Sequence, residues 1–243
     1  MERFTELAEL IKGNILFVIE FVGIFIGIFL FAYISERIIK KKSDNKEKIL
    51  TTKKIAVIGM LSAIAGICMI FEFPLFFIPT SHKLEFGDLP ALIGGFAFGP
   101  SAAVLIEFCK VLIKVIFKST GTAFVGELGN YMISCSFVLP ATIMYWIKKT
   151  KKNAKYSCIV GGSFMVIFGF FLNRFYLLPT FLHMYYGGNI EDLIGFGGAV
   201  NPLITNMNTY ALFASVPINL LKAVPVSLLT MWLYKPLSRV WKK

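Results

Sequence analysis

Repeated apolar runs, close to the length of a membrane span, constrain this chain more than any other feature of its sequence. Residues 14–32 form one run, broken only by Glu20, and residues 55–71 form a second without a charged side chain. About 20 consecutive apolar residues cross a bilayer as a helix. Charged residues make up 16% of the chain, against roughly 25% in a typical soluble domain, and the mean hydropathy is +0.72. The sequence therefore predicts an all-α integral membrane protein.

Three basic clusters, at residues 37–54, 148–155 and 235–243, orient the predicted spans. Lys and Arg concentrate in the cytoplasmic loops that flank membrane helices, so we expect all three clusters inside. A nucleic-acid-binding patch is the alternative for the net charge of +11, but apolar runs separate the clusters. We therefore expect a multi-pass protein of the cell membrane with no nucleic-acid partner. Its C-terminus would be cytoplasmic and its N-terminus outside.

This topology divides the chain into three parts. Residues 1–36 are predicted to hold one extra N-terminal transmembrane helix, residues 37–54 a basic cytoplasmic linker, and residues 55–243 a six-helix domain. A signal peptide is the alternative for the first part, but the apolar run is too long for one and no small-residue cleavage site follows it. Two outer loops are expected, at residues 72–88 and 186–208.

The segment LEFGDLPALIGGFAFGP, at residues 84–100, joins a charged loop directly to a short apolar helix. We expect this loop to fold over a site between helices. Asp88 is expected to cap the helix that follows it, and Glu85 to be a surface charge. Pro100 is expected at the start of the next helix, where proline is tolerated.

Polar side chains within predicted spans are candidate functional residues, because charges in lipid are costly. Lys222 lies deep in the last span, and Asn219, three residues earlier, shares its helix face. An amide and an ammonium together can bind the edge of a planar, acceptor-rich ligand. The alternative is a structural role in which Lys222 pairs with a carboxylate. Asn173, near the outer end of the fifth core span, offers a further amide.

Two other groups of polar residues stand out. Glu127 and Asn130 share a face in the segment GELGNY, where Gly126 would let a ligand or a neighbouring backbone come close. Helix packing is the alternative for that glycine. On the third core span, Glu107, Lys110 and Lys114 form one polar stripe. We expect a Glu107–Lys110 pair there, nearer the cytoplasm and away from the other candidates.

Neither a metal site nor a disulfide framework is expected. The four cysteines form no CxxC pair, and the two histidines, His82 and His183, have no metal-like spacing. The chain also lacks the phosphate-binding motif GxxxxGK[ST], so it is not expected to hydrolyse ATP by itself.

Four segments together resemble one family, the riboflavin-binding S components of energy-coupling-factor (ECF) vitamin transporters. They are FEFPLFFIP at residues 71–79, the segment at 84–100, KSTGTAFVGELGN at 118–130 and PINLLK at 217–222. The resemblance implies a six-helix S-component bundle, with the vitamin bound near the outer surface under a loop. It implies riboflavin as the transported substrate, with FMN left open, and no cofactor. The implied partners are a membrane-coupling subunit (EcfT) and two cytoplasmic ATPases.

The resemblance also implies which residues contact the substrate and the partner. Those expected at the substrate are Asn173, Asn219 and Lys222 for the isoalloxazine edge, Gly126, Glu127 and Asn130 for the ribityl chain, and Leu84 and Phe86 in the covering loop. Gly59 and Ala63 match a small-residue contact for the membrane-coupling subunit. An S component for thiamine or a queuosine precursor is the nearest alternative. An integral membrane enzyme is a more distant one, because it would need a catalytic set that these spans do not offer.

Overall fold

The computed structural model describes residues 9–44 and 48–242, and the regular secondary structure of this part is helical apart from one short β-ribbon. Its helices are α1 (Ile15–Lys42), α2 (Thr52–Ile70), α3 (Asp88–Phe98), α4 (Pro100–Lys118), α5 (Val125–Ile147), α6 (Lys151–Leu172), α7 (Leu178–Tyr185), α8 (Ile190–Val200), α9 (Met207–Tyr210) and α10 (Val216–Lys242). Residues 1–8, 45–47 and 243, which belong to the predicted N-terminal segment and two basic clusters, lie outside the described residues.

Within the described residues, four helical stretches are long and apolar enough to cross a membrane: Ile15–Lys42, Thr52–Ile70, Lys151–Tyr185 and Met207–Leu237. The prediction of an all-α membrane fold is confirmed. Pro100 is the first residue of α4, as predicted. The predicted extra helix is α1, which continues to Lys42. The predicted limit at residue 36 therefore falls inside a helix, and the division into three parts stays a prediction.

Two of the long stretches contain π-helical turns. Asn173–Leu177 joins α6 to α7, and Ala211–Ser215 joins α9 to α10. A π turn inserts one residue into a helix and rotates the residues that follow it, and such turns are frequent at functional sites. Here both turns lie beside the cavity described below.

The segment predicted as an outer loop, residues 186–208, contains the helix α8, which the sequence analysis did not predict. The Asn189 side chain caps this helix by accepting a hydrogen bond from the Glu191 amide at 3.0 Å. Leu193 is buried with Ile204 and Tyr210, which gives α8 an apolar anchor. A sequence rich in glycine thus forms a helix because its cap and its packing partners are both present.

The loop between α2 and α3, residues 71–87, is called the cover loop here. It contains the antiparallel strands β1 (Phe73–Pro74) and β2 (Lys83–Leu84), with Phe73 opposite Leu84. Ile78 in this loop is fully buried, so the loop packs onto the bundle. It continues directly into α3, which lies among α2, α4, α5 and α10 at the centre of the fold.

The extra helix α1 packs along α4 and α5. In the first half of α1, the Phe25 ring stacks on the Phe108 ring with centroids 3.8 Å apart. Near the C-terminal end of α1, Glu36 Oε2 accepts a hydrogen bond from the Ser101 amide at 3.2 Å, and Lys40 Nζ lies 3.0 Å from Glu36 Oε1. The amides in the first turn of a helix have no partner within that helix, so Glu36 supplies one for α4. We call Glu36, Lys40 and the Ser101 amide the α1 clamp.

Gly99, which precedes α4, makes this approach sterically feasible. Its φ of +122° favours glycine, and a Cβ there would lie 2.5 Å from the carboxylate carbon of Glu36. The sequence Gly99-Pro100 therefore both starts α4 and admits the clamp.

Candidate ligand-binding site

A cavity of about 120 Å³ lies beneath the cover loop, between α5, α10 and the π turn that follows α6. Its polar lining residues are Ser81, His82, Lys83, Thr122, Asn130, Asn173, Asn219 and Lys222, and its apolar ones include Ile133, Leu177, Phe181 and Ile218. Five predicted site residues thus line one cavity: Gly126, Asn130, Asn173, Asn219 and Lys222. They come from three separate helical segments.

Two of the cavity amides meet on one hydroxyl group. Ser215 Oγ, in the second π turn, accepts hydrogen bonds from Asn173 Nδ2 at 3.0 Å and from Asn219 Nδ2 at 3.2 Å. Asn173 Nδ2 also donates to the Gly169 carbonyl at 3.0 Å. Both asparagines are buried, so these bonds fix where their amides point. Each amide therefore has a defined position before a ligand arrives.

The cover loop contacts one of these two asparagines, Asn173, through His82. From the sequence, His82 was not expected to be a site residue. His82 Nε2 donates to Asn173 Oδ1 at 2.9 Å, and Ser81 Oγ lies 3.0 Å from His82 Nδ1. Burial lowers the pKa of the His82 imidazole below its ordinary value, although the hydrogen bond to Asn173 acts in the opposite direction. A histidine close to the motif at residues 84–100 was the available signal for this contact.

Lys222 is paired with carboxylates, which is the alternative that the sequence left open. Its Nζ donates to Glu85 Oε1, lies 2.9 Å from Asp88 Oδ2, and donates to Ser134 Oγ at 3.2 Å. The ammonium also lines the cavity. Lys222 therefore faces both a possible ligand and the residues at the base of the cover loop.

Lys110 binds the same carboxylates from the other side. Its Nζ lies 2.6 Å from Asp88 Oδ1, 2.6 Å from Glu107 Oε2 and 3.4 Å from Glu85 Oε1. The predicted Glu107–Lys110 pair is confirmed. Its predicted position, away from the other candidates, is wrong, because α3 brings Asp88 between Lys110 and Lys222. We call Glu85, Asp88, Glu107, Lys110 and Lys222 the lid cluster.

The roles predicted for the two carboxylates of the cover segment are also wrong. Glu85 is 2% exposed and Asp88 is fully buried, so neither is a surface charge. Gly87 occupies the N-cap position of α3, and Asp88 is its first residue. The Asp88 side chain turns inward to the two lysines instead of capping the helix, because buried ammonium groups need anionic partners.

Three predicted site residues do not line the cavity. Glu127 accepts hydrogen bonds from Thr120 and Thr122, each at 2.8 Å, and lies 3.7 Å from Lys114. Leu84 is buried with an apolar cluster that holds α7 and α8, and Phe86 packs on the core. In this structure the three residues order the cover loop and the start of α5.

A second ion-pair group lies at the rim of the cavity. Glu72 contacts Lys83 at 3.2 Å, Lys114 at 3.1 Å and Lys118 at 3.1 Å. Partial burial alone would raise the pKa of the Glu72 carboxyl, but these lysines outweigh it and lower the pKa below its ordinary value. Because two of these lysines lie on α4 and the third on β2, Glu72 ties the base of the cover loop to α4.

The predicted partner contact lies on the outward face of α2. Gly59 and Ala63 are exposed, and a Cβ at Gly59 would meet nothing within 4 Å. The neighbouring small residues Ser62 and Gly66 are buried instead, with Gly66 against Ile113. The Gly59–Ala63 face is therefore open to another helix.

Comparison with known proteins places this chain in a family. Residues 53–234 match the family described as ECF transporter, substrate-specific component. The chain is 30% identical over 191 residues to the riboflavin transporter RibU of Staphylococcus aureus, an alignment covering 79% of this chain and 93% of that protein. It is 25% identical over 179 residues to the riboflavin transporter FmnP of Bacillus subtilis, covering 73% and 88% respectively.

A solved structure agrees with this assignment. The work titled "Structure and mechanism of the S component of a bacterial ECF transporter" describes a chain that is 28% identical, with a TM-score of 0.60. The match covers 79% of this chain and 98% of that one.

The family match thus defines a multi-pass membrane transport subunit and not an enzyme. The chain belongs to the substrate-specific (S) components of ECF transporters. S components of this family work with an energising module. The predictions of an ECF S component and of its fold are therefore confirmed, and riboflavin as its substrate stays a prediction. Helix α1 precedes the matched residues.

Proposed function

We propose that this chain captures riboflavin from outside the cell and passes it inward together with an ATP-driven ECF module. The observation that carries the proposal is the convergence of Asn173, Asn219 and Lys222 on one cavity. The isoalloxazine edge offers carbonyl acceptors and an N3–H donor, and amide side chains provide both complementary groups. The relatives named as riboflavin transporters support the same substrate.

Selectivity would follow from hydrogen bonding in a dry site. The two asparagines are already oriented by Ser215, so a flavin would not have to order them. A ligand without a matching edge would leave unpaired the Asn173 Oδ1 that His82 releases and the remaining N–H of the Asn219 amide, which is costly. On this basis flavins bind tightly, and vitamins with a different polar edge, such as thiamine or a queuosine precursor, do not.

Binding requires the cover loop to move. The cavity of about 120 Å³ is smaller than the roughly 300 Å³ at the lower end of ligand pockets. His82 of the cover loop bonds Asn173 directly, so a ligand edge at Asn173 must displace that contact. We propose that residues 71–87 act as a lid that opens outward.

The proposed orientation puts the cover loop outside and the basic clusters inside. The exposed Gly59 and Ala63 would then contact the membrane-coupling subunit within the bilayer, where small residues allow helices to approach closely. Two cytoplasmic ATPases would supply the energy through that subunit.

A fluorescence titration tests the substrate. Riboflavin fluorescence is measured while purified, detergent-solubilised chain is added, and saturable quenching is expected. Excess FMN, thiamine or a queuosine precursor is then added as a competitor. Absence of saturable quenching at micromolar protein, or equal displacement by thiamine, would remove riboflavin as the substrate while leaving the family unaffected.

A further inference from the structure

Three protein oxygens surround the ammonium of Lys222. They belong to Glu85, Asp88 and Ser134. A lysine ammonium has three N–H donors and no acceptor. A ligand that accepts a hydrogen bond from Lys222 must therefore compete with one of these oxygens.

Glu85 is the partner of Lys222 that belongs to the cover loop. Asp88 is the first residue of the buried helix α3, and Ser134 lies on α5. Asp88 is held further by Lys110 at 2.6 Å and by Ser134 Oγ at 2.8 Å. The contact that can yield with least change to the bundle is therefore the one between Glu85 and Lys222.

Glu85 is held in the closed loop by charge as well as by position. Both lysines of the lid cluster contact its Oε1, so a carboxylate at this position is stabilised while the loop is closed. Loss of this charge is therefore expected to weaken closure.

When the loop closes again, Glu85 can form an ion pair with Lys110 in place of the one with Lys222. Glu85 Oε1 already lies 3.4 Å from Lys110 Nζ while it contacts Lys222. A small shift of the carboxylate toward Lys110 would keep the loop attached and leave one N–H of Lys222 to a ligand.

We propose that Glu85 is a positioning residue that latches the cover loop to Lys222, and that the ligand takes this N–H as Glu85 shifts to Lys110. The proposal deepens the function proposed above and rests on it for the ligand step. Loop closure and the availability of Lys222 are thereby coupled, since one carboxylate controls both. A ligand acceptor and the latch compete for the same donor.

The latch is tested without any ligand by hydrogen exchange and mass spectrometry of the purified chain. Amides of residues 71–87 should exchange at least about tenfold faster in Glu85→Gln than in the unsubstituted chain, because a buried charge loses its partner. Peptides from α5 and α10 serve as the internal reference for global folding. Glu191→Gln is the matched control, since Glu191 is an exposed carboxylate in the first turn of α8, outside both the cover loop and the lid cluster.

Unchanged exchange of the cover loop in Glu85→Gln, or an equal rise in Glu191→Gln, overturns the latch. If Glu85→Gln loosens α5 and α10 as well, Lys222→Gln provides the second test. It should produce the same loop-specific rise, and the double variant should add little to it. No rise in Lys222→Gln also overturns the proposal.

The ligand step has a separate measurement. Stopped-flow quenching of riboflavin should show both association and dissociation severalfold faster in Glu85→Gln, because the lid opens more often. Faster exchange of the loop without riboflavin binding would contradict the substrate and keep the latch. Riboflavin binding with unchanged rates would contradict the coupling.

Discussion

The lid cluster and the α1 clamp both bury carboxylates next to lysines, but they join different kinds of elements. In the clamp, Glu36 pairs with Lys40 on its own helix and accepts from the Ser101 amide at the start of α4. One carboxylate meets one ammonium, and all partners lie on rigid helices. In the lid cluster, Glu85 lies in a loop and shares both lysines with Asp88, and one of them, Lys110, also pairs with Glu107.

The same chemistry thus serves two purposes. The clamp lies on helices that also pack along each other, so its charges help to hold α1 against α4 and α5. The lid cluster includes one carboxylate on a loop, which can leave without moving a helix. Helix α4 connects the two groups, since it begins at the clamp and carries Lys110 of the lid cluster in its middle.

The largest effect on ligand binding is expected at Lys222. Lys222→Met should weaken riboflavin binding at least about a hundredfold, because the ligand loses a buried donor and the lid cluster keeps uncompensated carboxylates. The quenching titration measures this. Lys152→Met, an exposed lysine near the start of α6, is the matched control and should leave affinity unchanged. Full affinity in Lys222→Met would take this residue out of the site.

Breaking the clamp should affect stability and not binding. Glu36→Gln should lower the free energy of unfolding by about 1–3 kcal/mol, because the Lys40 ammonium and the Ser101 amide lose a charged acceptor. Unfolding in a detergent mixture measures this, with the exposed neighbour Arg37→Gln as control. Riboflavin affinity should stay within about twofold. A large loss of affinity with normal stability would mean that the clamp, too, belongs to the ligand site.

A neutral partner in the cavity should matter less than Lys222. Asn219→Ala should weaken riboflavin binding about tenfold, the effect expected from the loss of one hydrogen bond. The comparison variant is Asn189→Ala, which removes the amide that caps α8 outside the cavity. Equal effects of the two substitutions would indicate a change in folding and not a contact with the flavin.

Local features of this molecule were predictable from the sequence, but contacts between residues far apart in the sequence were not. Helix class, the start of α4 at Pro100 and the Glu107–Lys110 pair depend on run length and on i,i+3 spacing, which the sequence displays. The grouping of Asn173 with Asn219 and Lys222 came from a family resemblance. The burial of Glu85 depends on Lys222, which lies 137 residues later, and no local pattern encodes that approach.

The same reasoning explains the other errors at the lid. Asp is a residue type favoured at N-cap positions, but the Asp88 side chain points inward because it pairs with Lys110 and Lys222. His82 became part of the site because the cover loop folds back onto the π turn at Asn173. In each case, tertiary contacts overrode a preference that the local sequence expressed.

The smallest predicted effect is a pH dependence of the cover loop. The closed loop lowers the pKa of His82 by burying it, so the open loop binds a proton more readily. Closure should therefore be unaffected above the ordinary pKa of about 6.5 and should weaken as pH falls below it. Hydrogen exchange of residues 71–87, corrected for the intrinsic effect of pH, should rise severalfold between neutral and mildly acidic pH. His82→Gln keeps a hydrogen-bond donor for Asn173 without a titrating group and should remove this rise. A rise that persists in His82→Gln would contradict this role of His82 and would assign the pH response to the lid cluster.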